Sequence, residues 1–201
     1  MRIVIISPET ADPREVPAME GFFAAGLERY HVRKPSWEAA ELGAWLRALP
    51  VTWRPRIFLH QHHALVGELG LGGRHEKGDS KRAAGPSRSC HDLPSLRRYM
   101  RAFEQVIFGP VFPSISKESY APSADFPWKE LSETLRAKRA GGACRVLAIG
   151  GITGDRLARC KELGFDGAAV HGAVWRDADP VRAYLAIIEA VEKLEDNRNA
   201  A

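Results

Sequence analysis

The sequence lacks a long hydrophobic run, a signal-like leader and a paired cysteine motif. No apolar stretch approaches the roughly 20 residues that a bilayer-spanning helix needs, so no membrane partner is expected. The opening MRIVIIS is short and has no cleavage-like site, which predicts a first strand. The three cysteines are an odd number without metal-type spacing, and this excludes a disulfide framework and a zinc knuckle. These absences favour a cytoplasmic protein.

Basic residues are concentrated in one segment only, between Arg74 and Arg88. The formal net charge is +4, and the other basic residues are spread along the chain. Nucleic-acid binding needs a dense basic patch with stacking aromatics, so no nucleic-acid partner is predicted. A small phosphorylated molecule fits this mild excess of positive charge better, and a homo-oligomer is left open.

The composition predicts one globular domain over residues 1–201, with 45% hydrophobic and 27% charged residues. Short apolar runs alternate with segments of helical period, a pattern typical of a parallel sheet with helical crossovers. The predicted strands are Ile3–Ser7, Leu27–Val32, Arg56–His60, Gly72–His75, Ser87–Cys90, Gln105–Phe108, Arg145–Ile149 and Gly167–Val170. Eight such units predict an α/β fold, a closed (β/α)8 TIM barrel. An open doubly wound sheet is the alternative, because the polar segment Glu76–Pro86 is interpreted as a mobile loop without a helix.

Small residues follow the seventh and eighth predicted strands. In such barrels a phosphate is often held by these two loops. Gly150 and Gly151 in AIGGITGDR allow backbone N–H groups to approach an anion, and His171 and Gly172 end the eighth strand in AVHGAVW. The two loops together predict a phosphate cup.

The stretch FGPVFPSISKESY leaves the sixth strand through a Gly-Pro turn and then becomes polar. Its hydroxyls at Ser114 and Ser116 and the ammonium of Lys117 are donors suited to a phosphate or diphosphate. Because this loop follows the strand next to the cup, we expect it to contribute to ligand binding.

Five of the seven histidines fall at or just past the predicted ends of strands, namely His31, His60, His75, His91 and His171. This grouping predicts a site that moves protons or binds anions. Metal ligation by HQHH, residues 60–63, is an alternative, although barrel metallohydrolases of the amidohydrolase kind begin with His-x-His on the first strand and IVIISPET has none.

Five motifs taken in order resemble the thiamine phosphate synthase and TenI family. They are HVRKP, SRSCHDL, GPVFPSISK, VLAIGGIT and GFDGAAVHGAVW. The resemblance implies a (β/α)8 barrel and an enzyme of thiamine biosynthesis that binds thiazole phosphate. It also implies that Gly151 and the Gly172 loop hold the phosphate, that Ser114, Ser116 and Lys117 add anion contacts, and that Arg33 is the arginine after the second strand.

The sequence departs from the synthase pattern where Mg2+ is expected to bind. An Asn-Asp pair is replaced by His60-Gln61, and Asp79 in HEKGDS is a shifted substitute for a second carboxylate. The lysine after the second strand is displaced to Lys34. Because imidazole is a poor replacement for the hard oxygen ligands of Mg2+, synthase activity is put in doubt.

His91 in SRSCHDL aligns with the histidine that serves as acid and base in TenI-type tautomerases, although synthases commonly have one there too. A neutral imidazole can accept and return a proton without a metal cofactor. The sequence therefore slightly favours a thiazole tautomerase that requires no cofactor. The alternatives are a thiamine phosphate synthase, with Mg2+ as cofactor, and a non-catalytic thiazole or thiamine phosphate-binding regulator.

Overall fold

Eight parallel strands close into a barrel in the computed structural model, which describes residues 1–115, 121–138 and 143–199. The first strand is hydrogen-bonded to the second and also to the eighth, where Ile3 is paired with Ala168 and Ile5 with Val170. A doubly wound sheet would leave these two edges open. The predicted (β/α)8 barrel is therefore confirmed.

The strands are β1 Arg2–Ile6, β2 Arg29–Val32, β3 Ile57–Leu59, β4 Gly73–Glu76, β5 Ser87–Cys90, β6 Gln105–Phe108, β7 Arg145–Ile149 and β8 Gly167–Val170. The helices are α1 Glu15–Ala24, α2 Ala39–Ala48, α3 Ala64–Leu69, α4 Leu93–Tyr99, α5 Trp128–Lys138, α6 Leu157–Leu163, α7 Gly172–Trp175 and α8 Pro180–Asn199, with 3-10 turns at Val51–Arg56 and Gly154–Arg156. Among the residues that the structure describes, no helix combines the length and apolar character needed to cross a membrane.

Every predicted strand is present; the last four have the predicted ends, and the ends of the first four are shifted by one or two residues. The second begins at Arg29 instead of Leu27, because the backbone N–H of Leu27 donates to Phe22 O and belongs to the turn that ends α1. The sequence predicts a closing helix over DPVRAYLAIIEAVEKL that frays into EDNRNAA. In the structure α8 continues to Asn199, so the predicted fraying is wrong for these residues.

The segment after β4 has no helix, as predicted, and a side chain of the next strand holds its backbone. Arg88 on β5 is only 2% exposed, and its guanidinium donates to the carbonyl oxygens of Gly78, Ser80 and Arg82 at 2.8–2.9 Å. The same guanidinium lies 4.0 Å from the ring centre of Tyr99. The Arg88 side chain therefore holds this loop against the barrel wall.

The barrel interior is divided into an apolar and a polar half. The apolar half, contributed by β1 and β6 to β8, consists of Val4, Ile6, Ile107, Leu147 and Ala169. The polar half, contributed by β2 to β6, contains His31, His75, Ser87, Ser89 and Gln105. A larger apolar cluster fills the space between strands and helices. Strands that also face the apolar half of the interior, such as β1 and β7, are therefore nearly continuous hydrophobic runs. The polar half is the unusual feature, because barrel interiors are normally filled by branched aliphatic side chains.

Candidate active site

A cavity of about 390 Å³ opens at the carboxyl ends of the strands. It is lined by Ile6, Glu9, Arg33, His60, Ser89, His91, Ser114, Ile115, Ile149, Gly150, Gly151, Ile152, Ala169, His171 and Gly172. Seven of these were predicted as site residues from the sequence: Arg33, His91, Ser114, Gly150, Gly151, His171 and Gly172. The structure thus brings the ends of β1 to β3 and β5 to β8 together around one pocket, which we call the mouth pocket.

The turn after β7 depends on two glycines. Gly150 and Gly151 have φ angles of +96° and +62°, a left-handed conformation that side chains disfavour. A Cβ at Gly151 would lie 2.2 Å from the carbonyl oxygen of Pro113, so the β6 loop packs directly against this turn. Arg156 Nη1 donates to Gly151 O at 2.6 Å and holds the peptide in place. The wall of the pocket here is backbone, which gives an anion close access.

His91 is fixed in one tautomer by its surroundings. It directly follows β5 and precedes Asp92, whose side chain caps α4 by accepting from the Ser95 N–H at 2.8 Å. His91 Nδ1 lies 2.6 Å from Gly109 O, and since a carbonyl only accepts, Nδ1 carries the proton. In the neutral ring Nε2 then holds the lone pair, at the edge of the ring that passes Gly78. A group of this kind can act as a general base.

Arg33 reaches the mouth pocket as an ion pair with Glu9. Ser7, fully buried at the end of β1, bonds both backbone groups of Arg33, accepting from its N–H at 2.8 Å and donating to its O at 3.2 Å. The arginine backbone is therefore well positioned. Glu9 was not identified from the sequence, although it lies just after the first strand, where site residues are expected. Ser89, near the end of β5, was also missed.

Lys34 lies away from the mouth pocket, where it is fully buried. Its Nζ donates to Glu15 Oε2 at 2.5 Å and to Thr10 O at 2.8 Å. The Tyr30 hydroxyl donates to the other Glu15 oxygen at 2.8 Å. Burial raises the pKa of Glu15, while the ammonium of Lys34 opposes that shift. The structure therefore gives Lys34 a role in packing, and we do not include it among the ligand-binding residues.

Three buried histidines lie together in the polar half of the barrel. His31 Nδ1 is 3.1 Å from His60 Nε2, and the rings of His60 and His75 stack with their centres 4.1 Å apart. Burial lowers the pKa of His75 to about 3, and burial also lowers the pKa values of His31 and His60 well below the usual range. The three imidazoles are therefore neutral at physiological pH. Only His60 reaches the mouth pocket.

The HQHH motif does not form a compact metal site by itself. His62 Nε2 contacts Trp37 O at 2.7 Å, and His63 Nε2 contacts Leu59 O at 3.1 Å. The amide of Gln61 donates to Lys34 O. The histidines that meet come from three different strands, which the linear motif does not reveal.

The magnesium dependence that is general in thiamine phosphate synthases requires oxygen ligands, and the described residues do not supply them. Asp79 is exposed in the loop after β4 and does not line the mouth pocket. Among the described residues, Glu9 is the one carboxylate in the lining, and it is ion-paired with Arg33. This donor set does not fit octahedral Mg2+ coordination. The two remaining predicted residues, Ser116 and Lys117, lie outside the described residues.

The closed parallel barrel with a glycine-walled pocket at its mouth places the protein in the class of (β/α)8 barrels. No protein-family model matches the chain. A thiamine-phosphate synthase of Methylobacillus flagellatus is 30% identical over 190 residues, covering 87% of both chains. A second, of Rhizobium etli, is 35% identical over 94 residues, or 46% of this chain and 43% of that protein.

Solved structures of thiamine phosphate pyrophosphorylases are also similar to this chain. A thiamine phosphate pyrophosphorylase of Bacteroides thetaiotaomicron has a TM-score of 0.73 and 28% identity over 98% of both chains. Another from Pyrococcus furiosus has the same TM-score at 17% identity over 96% of both chains, which supports the fold alone. The chain belongs to the thiamine phosphate synthase family, and it is an enzyme of thiamine biosynthesis. The resemblance seen in the sequence motifs is confirmed.

Proposed function

We propose that the mouth pocket binds a thiazole phosphate and that His91 moves a proton on the bound ring. The observation that carries this proposal is the contact between His91 Nδ1 and Gly109 O, which leaves Nε2 as the proton acceptor of a residue that lines the pocket. In the tautomerase reaction that the family resemblance implies, a carboxythiazole phosphate becomes aromatic when one proton is removed and another is returned. A single neutral imidazole can do both.

Phosphate binding is assigned to the loops after β6, β7 and β8. Gly150, Gly151 and Gly172 line the pocket without side chains, and Ser114 adds a hydroxyl on the facing loop. Arg33 and His171 add cationic or donor groups at the same rim. The expected further donors are Ser116 and Lys117. Such a set favours a monoester phosphate over a neutral ligand.

A second candidate is thiamine phosphate synthase itself, and the names of the relatives favour it. The tautomerase preference does not come from the relatives, which are all named as synthases. It comes from the pocket. A bound Mg2+ would assist the departure of diphosphate, but the described residues lack the oxygen ligands that would hold this ion. Tautomerisation needs no metal, so the pocket supports it better.

Two assays on the same protein distinguish the candidates. Conversion of the carboxythiazole phosphate tautomer is followed in EDTA, and release of diphosphate from hydroxymethylpyrimidine diphosphate with thiazole phosphate is followed with and without Mg2+. We expect conversion in EDTA and no release of diphosphate. Magnesium-dependent release without tautomer conversion would establish the synthase. Tight binding of thiazole phosphate with neither reaction would establish a non-catalytic regulator.

Growth complementation extends this test to the cell. A strain lacking its own synthase is not expected to grow without added thiamine when it expresses this protein. Growth would contradict the tautomerase assignment. The cytoplasmic location stays a prediction, and a homo-oligomer stays open.

A further inference from the structure

We propose that His31, His60 and His75 form a binding site for a zinc ion at the floor of the mouth pocket. One nitrogen from each ring lies within 4.8 Å of the others. Two nitrogens bound to one tetrahedral zinc lie about 3.3 Å apart, since each Zn–N bond is about 2.0–2.1 Å. The 3.1 Å between His31 Nδ1 and His60 Nε2 is close to that spacing. The His75 ring stacks on His60, so it must turn one nitrogen away from its serine hydroxyl to complete the set.

The backbone that carries these rings is rigid. His31 lies in β2, His60 directly follows β3 and His75 lies in β4, so three adjacent strands of one closed barrel each contribute a ligand. The His31 ring also stacks on Phe58, with an angle of 10° between the rings and 5.3 Å between their centres. Ligands on a strand ladder are positioned more accurately than ligands on loops.

Groups that could act as outer hydrogen-bond partners lie beside two of the rings. The amide nitrogen of Gln105 lies 3.5 Å from His31 Nε2, which carries the proton when Nδ1 binds the ion, so the amide must turn its oxygen toward that nitrogen to accept from it. His75 has a serine hydroxyl 2.7 Å from each ring nitrogen, Ser87 at Nδ1 and Ser89 at Nε2. When one nitrogen of His75 binds the metal, the serine hydroxyl at the other nitrogen can keep the ring in that orientation. Metal-binding histidines usually have such a partner, which fixes the ring orientation.

The chemistry of the donors selects the metal. Three neutral imidazoles are nitrogen ligands that suit Zn2+ and bind Mg2+ or Ca2+ poorly. Three protein ligands leave one position of a tetrahedral ion open. Because His60 lines the mouth pocket, the ion would border the space where the phosphorylated ligand is proposed to bind. This inference does not depend on the proposed reaction, since the metal is measured without substrate.

The test uses tag-free full-length protein, stripped with a chelator and dialysed into metal-free buffer. Zinc affinity is measured by competition with a chromophoric chelator, and Co2+ is added separately as a spectroscopic substitute. We expect one Zn2+ per chain and the intense visible bands of four-coordinate cobalt. His60→Asn and His75→Asn should each weaken zinc binding by at least about 10-fold, the loss that changing even an outer partner typically causes.

His62→Asn is the matched control. It makes the same chemical change two residues from His60, and asparagine tolerates the positive φ of 52° at this position. Circular dichroism confirms that each variant is folded. The proposal is overturned if the wild type binds no stoichiometric zinc, if both cluster variants keep full affinity, or if His62→Asn loses as much. Should the cluster variants not fold, the cobalt spectrum of the wild type decides, and weak six-coordinate bands would overturn the site.

Discussion

His91 Nδ1 and Gly109 O are 2.6 Å apart, and this contact joins the loop after β5 to the loop after β6. The backbone at position 109 also packs against the end of β7, where a Cβ would lie 2.2 Å from Ile149 O, so this position requires glycine. The close approach of the two loops determines which nitrogen of His91 is the base. The proposed reactivity of the imidazole is therefore a property of its neighbouring backbone.

Replacing His91 by Asn should separate catalysis from binding. Asparagine is polar and of similar reach but has no titratable nitrogen, so tautomer conversion should fall by roughly 100-fold to 10,000-fold. The affinity for thiazole phosphate, measured by calorimetry, should barely change. His62→Asn serves as control and should convert the tautomer normally. A His91→Asn protein with the wild-type rate would show that His91 does not move the proton.

Gly151→Ala should weaken phosphate binding. The methyl group would collide with Pro113 O, so the turn after β7 must move away from the anion. An affinity loss of at least roughly 10-fold is expected, equivalent to about 1.4 kcal/mol. Gly70→Ala is a matched control, because Gly70 has φ +64° and open space around its Cβ position. Both variants lose about 1–2 kcal/mol of stability through the left-handed backbone, and only the first should lose affinity. Equal affinities would contradict the assignment.

Mg2+ should bind weakly in the presence of diphosphate. Calorimetry is expected to give no heat that saturates at micromolar Mg2+, because the oxygen ligands do not converge in the described part of the pocket. The double variant His60→Asn with Gln61→Asp restores the pair typical of synthases and should bind Mg2+ more tightly. Micromolar affinity in the wild type, or diphosphate release abolished by EDTA, would return the assignment to a synthase.

Lys34→Met should destabilise the fold without a direct effect on ligand binding. The substitution leaves the buried Glu15 carboxylate without its cation, and breaking such a pair costs about 3–5 kcal/mol. Adding Glu15→Gln should recover most of that loss, since the glutamine oxygen can still accept from Tyr30. Urea unfolding measures both variants. A stable Lys34→Met protein with weakened phosphate affinity would instead give Lys34 a binding role.

The free energy of unfolding should decrease at alkaline pH because of buried thiols. Burial raises the pKa of Cys160 from 9.0 to about 12, and it raises the pKa values of Cys90 and Cys144 to about 11. Above pH 9 the unfolded chain loses these protons while the folded chain keeps them. The stabilisation is thus complete below pH 9. It is lost by about 1.4 kcal/mol per pH unit for each thiol, between pH 9 and 11 for Cys90 and Cys144 and between pH 9 and 12 for Cys160.

Cys160→Ala isolates one thiol from the other groups that titrate in this range. Urea unfolding at several pH values above 9, with reductant, should give a shallower loss of stability for the variant than for the wild type. Parallel curves would show that the thiol is not responsible.

Much of the barrel follows from the sequence alone. Strands covered on both faces are usually apolar runs, so segments such as RVLAI of β7 are recognisable without any knowledge of their neighbours. The glycines after β7 are equally local, because a left-handed turn needs them wherever it occurs. The family motifs lie at strand ends, where the order of elements places them. The same is true of the seven mouth-pocket residues that were predicted from the sequence.

Only the tertiary structure decided the direction of individual side chains. Arg33 and Lys34 are adjacent just past β2, yet the first lines the mouth pocket and the second is buried beside Glu15. The chain path beyond a strand end depends on what packs against it, here Ser7 and α1, and no periodicity encodes that. The meeting of His31 with His60 required the pairing of β2 with β3, because residues far apart in sequence come together only when neighbouring strands are in register.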